Sequence, residues 1–274
     1  MSSAFHSALA ILGVACAFGF AEGRELRVCA DPDNLPLSHE DGNGFENRIA
    51  RLVADEMRAE LRFEWWPQRG HGFVRKTLGE GVCDVLVGVP SDFDRVMTTR
   101  PYYRSTYVFV DGARSKGLET FDDPRLSRLR VGVQLVGDDM AATPPGHALT
   151  LKGHVDNIRG FTVFGDGPAS KRMIDAVVRG ELDAALLWGP QAGFYAARQD
   201  APLEVRVARP PPELAKIPFE YAIAMGVKRG NKALRDELDA ILERRRGDID
   251  AILAEYAVPR TDTGPGGERR EAKR

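Results

Sequence analysis

The residues able to act as a positioned acid or base are His39, Glu46, His71 and Glu220. No Ser, His and Asp ordering, Cys/His pair or close carboxylate pair accompanies them. The pattern therefore gives no catalytic constellation, and a protein that binds without catalysis is expected. Metal chemistry is equally poorly served. No HExxH, CxxC or HxH spacing occurs, and the two sulfurs of Cys29 and Cys83 make a poor site alone. No resident metal or cofactor is expected.

Recognition chemistry is better represented. Gln68 and Arg69 follow Trp65-Trp66-Pro67, and a planar guanidinium beside indole rings is a recognition pairing. Trp65, Trp66, Phe73, Phe93, Tyr102, Tyr103 and Trp188 fall near the predicted ends of strands, where open α/β sheets place a binding crevice. Collectively they describe an aromatic cleft for a flat ring system or a hydrophobic peptide. Asp31 and Asn34 in the loop after the first strand would fix ligand polarity, as would Gln134, Asp138 and Asp139 in the matching loop of the second half. Backbone N–H groups after Val136 offer an anion site. A competing assignment puts Trp66 and Tyr103 in the core and gives Asp31 and Asp139 turn and cap roles.

These candidates are positioned by a unit that the chain uses twice. Lys76 to Gly88 and Met173 to Gly189 each run from the end of an amphipathic helix through a G-x-x-D turn (Gly81 to Asp84, Gly180 to Asp183) into an apolar run and a closing Gly. The apolar runs suit strands buried on both faces. Around the first copy the sequence predicts a strand at 26–30, a helix at 44–59, a strand at 61–66, a helix at 73–80 and a strand at 85–89. The helix carries Phe45, Ile49, Leu52, Val53 and Met57 on one stripe. Around the second copy Leu129-Arg130-Val131-Gly132-Val133 echoes Leu26-Arg27-Val28-Cys29-Ala30. A strand at 161–164, a helix at 168–179 and a strand at 182–188 follow. Extended crossings near Val108 and Ala224, then helices at 233–245 and 249–256, imply a chain that leaves one lobe, builds a second and returns.

The ends and the composition narrow the setting. The chain has 274 residues, 43% hydrophobic and 28% charged, with a formal net charge of -2, and it shows no basic face for nucleic acid. Residues 4–21 are apolar, with Gly19 and Ala21 at the −3 and −1 positions of a cleavage site. Residues 1–21 are thus an expected signal peptide, and no stable membrane anchor is expected. Export would leave Cys29 and Cys83 as an even pair in an oxidising compartment. A disulfide and two buried thiols both remain open. Residues 260–274 are polar and predicted to be disordered.

The layout resembles the type II periplasmic solute-binding proteins. The resemblance rests on the opening strand into Asp31 to Pro36, the G-x-x-D turn into Cys83 to Gly88, Pro101-Tyr102-Tyr103, Tyr221-Ala222-Ile223-Ala224 and the ending Ala251 to Pro259. Within that family, Val28 to Pro36, Trp65-Trp66-Pro67-Gln68-Arg69, Thr98 to Phe109, Val131-Gly132-Val133-Gln134, Thr143-Pro144-Pro145 and Leu187-Trp188-Gly189-Pro190 are similar to the J proteins of methanol-oxidation operons (MoxJ, MxaJ and XoxJ).

The resemblance implies an α/β, two-lobed fold with a hinge of two crossing strands. Lobe one would be residues 22–110 with 225–259, and lobe two residues 111–224. It also implies a periplasmic role in aiding assembly or activation of a methanol dehydrogenase that carries pyrroloquinoline quinone (PQQ), with a small molecule or peptide as a further ligand. Amino-acid-binding relatives generally carry an Arg about nine residues before the Pro-Tyr-Tyr. Here Asp92 stands nine before Pro101, and Arg95 is displaced by three. They also tend to place an Asp where this chain has Trp188-Gly189-Pro190, and both departures argue against an α-amino acid ligand. The alternatives are a transporter receptor for an organic acid or aromatic solute, and a dehydratase-like enzyme on the same fold.

Overall fold

A computed structural model of the protein describes residues 23–67, 72–136, 141–162 and 167–262. The segment expected to be a signal peptide (residues 1–21), Gln68, Arg69, His71, Asp138, Asp139 and residues 263–274 of the tail lie outside the described residues.

The first half runs β1 (Glu25–Ala30), β2 (Asp33–Asn34), β3 (Ser38–His39), α1 (Phe45–Met57), β4 (Glu60–Trp65), a π-helical turn Arg75–Gly79, β5 (Val85–Pro90), β6 (Met97–Thr98) and β7 (Tyr103–Asp111). The second runs β8 (Val131–Val136), β9 (Ala141–Ala142), α2 (Pro144–Leu151), β10 (Ile158–Thr162), α3 (Ala169–Val178), β11 (Ala184–Trp188), α4 (Gly189–Ala196) and β12 (Glu204–Val207). The chain closes with β13 (Glu220–Val227), α5 (Lys232–Arg244) and α6 (Arg246–Glu255).

The stripe read in the sequence is the buried face of α1: Phe45, Ile49, Val53 and Met57 are buried, and Leu52 packs at its margin. The helix predicted at 73–80 forms over 73–79, with π-helical geometry at Arg75–Gly79. Helices α2 and α4 go beyond the expected elements, and both carry Pro in their first turn. Pro in the first turn of a helix loses only an amide that has no intrahelical partner there.

The strands form one mixed sheet in the order β4-β1-β5-β13-β7-β11-β8-β10. Strands β4, β1 and β5 are parallel, as are β10, β8 and β11. The two long strands β7 and β13 join these blocks. They pair antiparallel with each other from Thr106↔Glu220 to Tyr103↔Ile223, and β7 then continues beside β11 and β12.

Each block has its own packing. Leu26, Val28, Phe45, Ile49, Val85, Met225, Leu238 and Leu253 form one core, with Cys29, Leu78, Cys83, Leu86 and Val96 on the opposite sheet face. Cys29 and Cys83 are joined in a disulfide with Cα atoms 5.6 Å apart. In the other block, Phe109, Phe121, Val131, Leu149 and Leu186 pack on one face and Val108, Met173, Ile174, Leu187 and Tyr195 on the other.

The duplicated G-x-x-D turns explain themselves in three dimensions. Arg27 of β1 holds Asp84 through Nε and Nη2 and donates from Nη1 to the Gly81 carbonyl at 2.8 Å. Arg130, just before β8, holds Asp183 through Nε and Nη2, and its Nη2 also donates to the Gly180 carbonyl at 2.7 Å. Gly81 and Gly180 have φ of 73° and 70°, so each turn needs a residue that tolerates the left-handed region. The fork ties the first strand of each unit to the turn that launches the next.

Candidate functional site

The C-terminal ends of β1 and β5 meet the first turn of α1. Asp31, directly after β1, accepts the Asp33 amide on Oδ1 at 3.0 Å, and its carbonyl accepts Ser38 Oγ at 2.8 Å. Asn47 Oδ1 accepts the amides of both His39 (2.9 Å) and Gly44 (3.0 Å), which fastens this loop to the start of the helix. Glu46 is thereby fixed, with only 5% of its surface exposed.

Its carboxyl rests against Gly88, whose φ is 78°. A Cβ there would sit 1.9 Å from Glu46 Oε1, so only glycine leaves the room. Burial first, and the charge of Asp31 second, push the Glu46 carboxyl up to about 8, so at neutral pH it is mostly protonated. The neighbouring Tyr102 and Tyr103 hydroxyls are pushed well up, by burial and then by Glu46. An acidic residue in the first turn of a helix is favoured there by the helix dipole whether or not it is buried, so the burial of Glu46 is not legible in the sequence.

The aromatic candidates do not form one wall. Tyr102 and Tyr103 are buried, with Tyr103 edge-on to Phe45 at 6.0 Å. Trp65 stacks on Phe63 at 5.0 Å on the edge strand, and the Trp66 amide donates to the Ala30 carbonyl at 2.8 Å. Phe73 and Phe93 pack against the disulfide cluster. Trp188 stands at the joining strands, 5.4 Å from Tyr107 and 5.6 Å from Tyr221. Gln134 is half-buried in β8, in register with Phe161 of β10. Of the catalytic candidates, His39 pairs with Asp41 at 2.9 Å and Glu220 with Arg104 at 3.3 Å, both on the surface. Among the described residues no cluster of three or more His, Cys, Asp or Glu is arranged to hold a metal.

The two blocks meet across a seam the sequence did not disclose. Gln191 Nε2 of α4 donates to Asn34 Oδ1 at 3.5 Å, and Tyr195 Oη donates to the Leu35 carbonyl at 3.2 Å. Phe194 stacks on Tyr256 at 5.6 Å. The candidate loop Asp31 to Pro36 therefore faces α4 of the other block. Gln191 and Tyr195 are the seam residues that sequence reasoning missed, because their partners lie 157 and 160 positions away.

Among the described residues the arrangement brings together no nucleophile with a base.

No family profile matches the chain. It is 34% identical to protein MoxJ of Methylorubrum extorquens over 249 residues, covering 85% of this chain and 81% of that one. The crystal structure of the periplasmic binding protein XoxJ from Methylobacterium extorquens AM1 superposes with a TM-score of 0.71 at 35% identity, over 86% of this chain and 98% of that one. The crystal structure of MxaJ from Methlophaga aminisulfidivorans MPT gives a TM-score of 0.70 at 26% identity, over 86% and 99%. The fold, the paired units and this near full-length likeness lead to one conclusion: the chain belongs to the MoxJ family of two-lobed periplasmic binding proteins.

Proposed function

We propose that this chain is a periplasmic, non-enzymatic binding protein that supports methanol oxidation by aiding assembly or activation of a PQQ-dependent methanol dehydrogenase. The observation that carries this reading is the likeness to MoxJ across 85% of the chain. The two separate cores support a division into lobe one (residues 22–110 with 225–259) and lobe two (111–224). Trp188 argues against an amino-acid receptor. At the end of β11, where such receptors tend to carry an acidic group, the chain places an indole against Tyr107 and Tyr221. Among the described residues, no helix is long and apolar enough to cross a membrane.

The test is a pull-down of the tagged mature protein from the periplasm of methanol-grown cells, followed by mass spectrometry. Recovery of the quinoprotein dehydrogenase is the expected result. Recovery of a permease or a small solute in its place would overturn the reading in favour of a transport receptor.

A further inference from the structure

The face of the first sheet that carries the disulfide is flanked by a short helix over residues 73–79, whose last five residues, Arg75–Gly79, make a π-helical turn. Beside that turn lies a cavity of about 600 Å³ with Val74, Leu78 and Val96 among its lining residues. This volume is in the range of small-molecule sites, roughly 300 to 1,000 Å³. Three separate segments supply its charged groups: Arg75 from the turn, Arg95 from the loop between β5 and β6, and Lys228 with Arg229 from the end of β13. Among the described residues, Asp94 is the only carboxylate lining it.

Four cations against one anion is a local excess in a chain whose formal net charge is -2. Lys228 Nζ donates to the Gly79 carbonyl at 3.1 Å, holding its ammonium at the wall. Arg75, Arg95 and Arg229 have no ion-pair partner among the described residues. Like charges gathered without counter-charges repel one another, and a bound anion relieves that repulsion.

Only a few features could recognise a guest here. An apolar floor takes an apolar body, guanidinium forks take carboxylate or sulfonate oxygens, and the walls are concave. Asp94, Val96 and Arg229 also border a second cavity of about 450 Å³ that includes Phe93, so one ring face is within reach of a longer guest. The floor side chains Leu78 and Val96 belong to the disulfide cluster, so this place is separate from the seam between the two blocks.

We propose that this cavity is a binding site for a small organic anion with an apolar, ring-containing body. The site is independent of the proposed partner of the interlobe region.

The experiment titrates the mature protein at neutral pH with 8-anilinonaphthalene-1-sulfonate by fluorescence. Benzoate serves as competitor and N-phenyl-1-naphthylamine as the uncharged control. The variants are Arg95→Glu with Arg229→Glu, and Val96→Phe to fill the floor. Melting temperature is recorded for each, and a milder Arg95→Gln with Arg229→Gln pair stands in if the charge reversal unfolds. The expected result is saturable binding, displaced by benzoate, and weakened at least tenfold in the arginine variants at unchanged melting temperature. Equal affinity for the uncharged amine, equal affinity in the arginine variants, or binding of acidic polypeptides alone would overturn the proposal. The pull-down outcome has no bearing on any of these readouts.

Discussion

Asp183 accepts three hydrogen bonds from Arg130: the backbone amide at 2.8 Å, Nε at 3.0 Å and Nη2 at 3.0 Å. Arg27 and Asp84 repeat the pattern in the first block, at 3.1, 3.1 and 2.7 Å. The copies differ in burial. The Asp183 side chain is 6% exposed and that of Asp84 is 30% exposed. The two arginines are equally exposed, at 35%, so the difference comes from the hydrogen bonds of the more buried carboxylate and its added pairing with Arg114; Asp183→Ala should cost about 2 kcal/mol and Asp84→Ala about 1 kcal/mol. Urea unfolding of the two variants measures the difference; equal losses would show that burial does not set the strength of the fork.

The same pair has a pH signature. Hydrogen bonds from Arg130 hold the Asp183 carboxyl below its ordinary value of 3.8. Its contribution to stability is therefore complete above that value and lost as pH falls through the lower, folded value. In acid titrations followed by circular dichroism, Asp183→Asn should flatten the loss of stability below about pH 4.

Glu46 behaves in the opposite sense. Its folded carboxyl titrates at about 8 against an ordinary 4.5, so the native state holds a proton that the unfolded chain has released. The contribution of Glu46 to stability is full below about pH 4.5 and declines as pH rises towards 8, with a slope of at most about 1.4 kcal/mol per pH unit. Glu46→Gln keeps the shape without the charge. Thermal melts should place this variant above the natural protein at pH 8 and close to it at pH 4. Parallel curves at all pH values would mean that the carboxyl is not buried in its neutral form.

The Cys29–Cys83 bond closes a loop with a sequence separation of 54. In the chain-entropy account such a loop contributes about 4 kcal/mol by restricting the unfolded state. Cys29→Ser with Cys83→Ser, or reduction, should lower the unfolding free energy by that order. A loss below about 1 kcal/mol would place the main role of the bond elsewhere.

Gly193 marks the tightest point of the seam. A Cβ there would lie 1.9 Å from the Ala257 carbonyl oxygen, a backbone atom with little freedom to yield. Gly193→Ala should cost about 2 kcal/mol or push α4 away from the C-terminal segment, which small-angle scattering would register as expansion. Gly247→Ala is the control: its Cβ meets nothing within 4 Å, and no destabilisation is expected.

Much of the architecture is written locally. Helix α1 follows from apolar residues at helical spacing, the buried strands from apolar runs after G-x-x-D, and the family from segments spread along the chain. The limits of local reading appear at α4, where Gly-Pro resembles a loop, and at Arg75–Gly79, where apolar spacing could not tell an α-helix from a π-helical turn.

The paired units, the main helices and strands of each and the likeness to a binding-protein family were legible along the chain, because they depend on periodicity within a few turns and on short local motifs. That Cys29 meets Cys83, that Gly88 makes room for a buried Glu46 and that Asn34 faces Gln191 emerges in three dimensions alone. The tertiary structure also sent Phe73 and Phe93 to the disulfide face and Trp188 to the joining strands. Such pairings join residues tens to hundreds of positions apart, and the sheet register and packing that bring them together leave no local periodic signal.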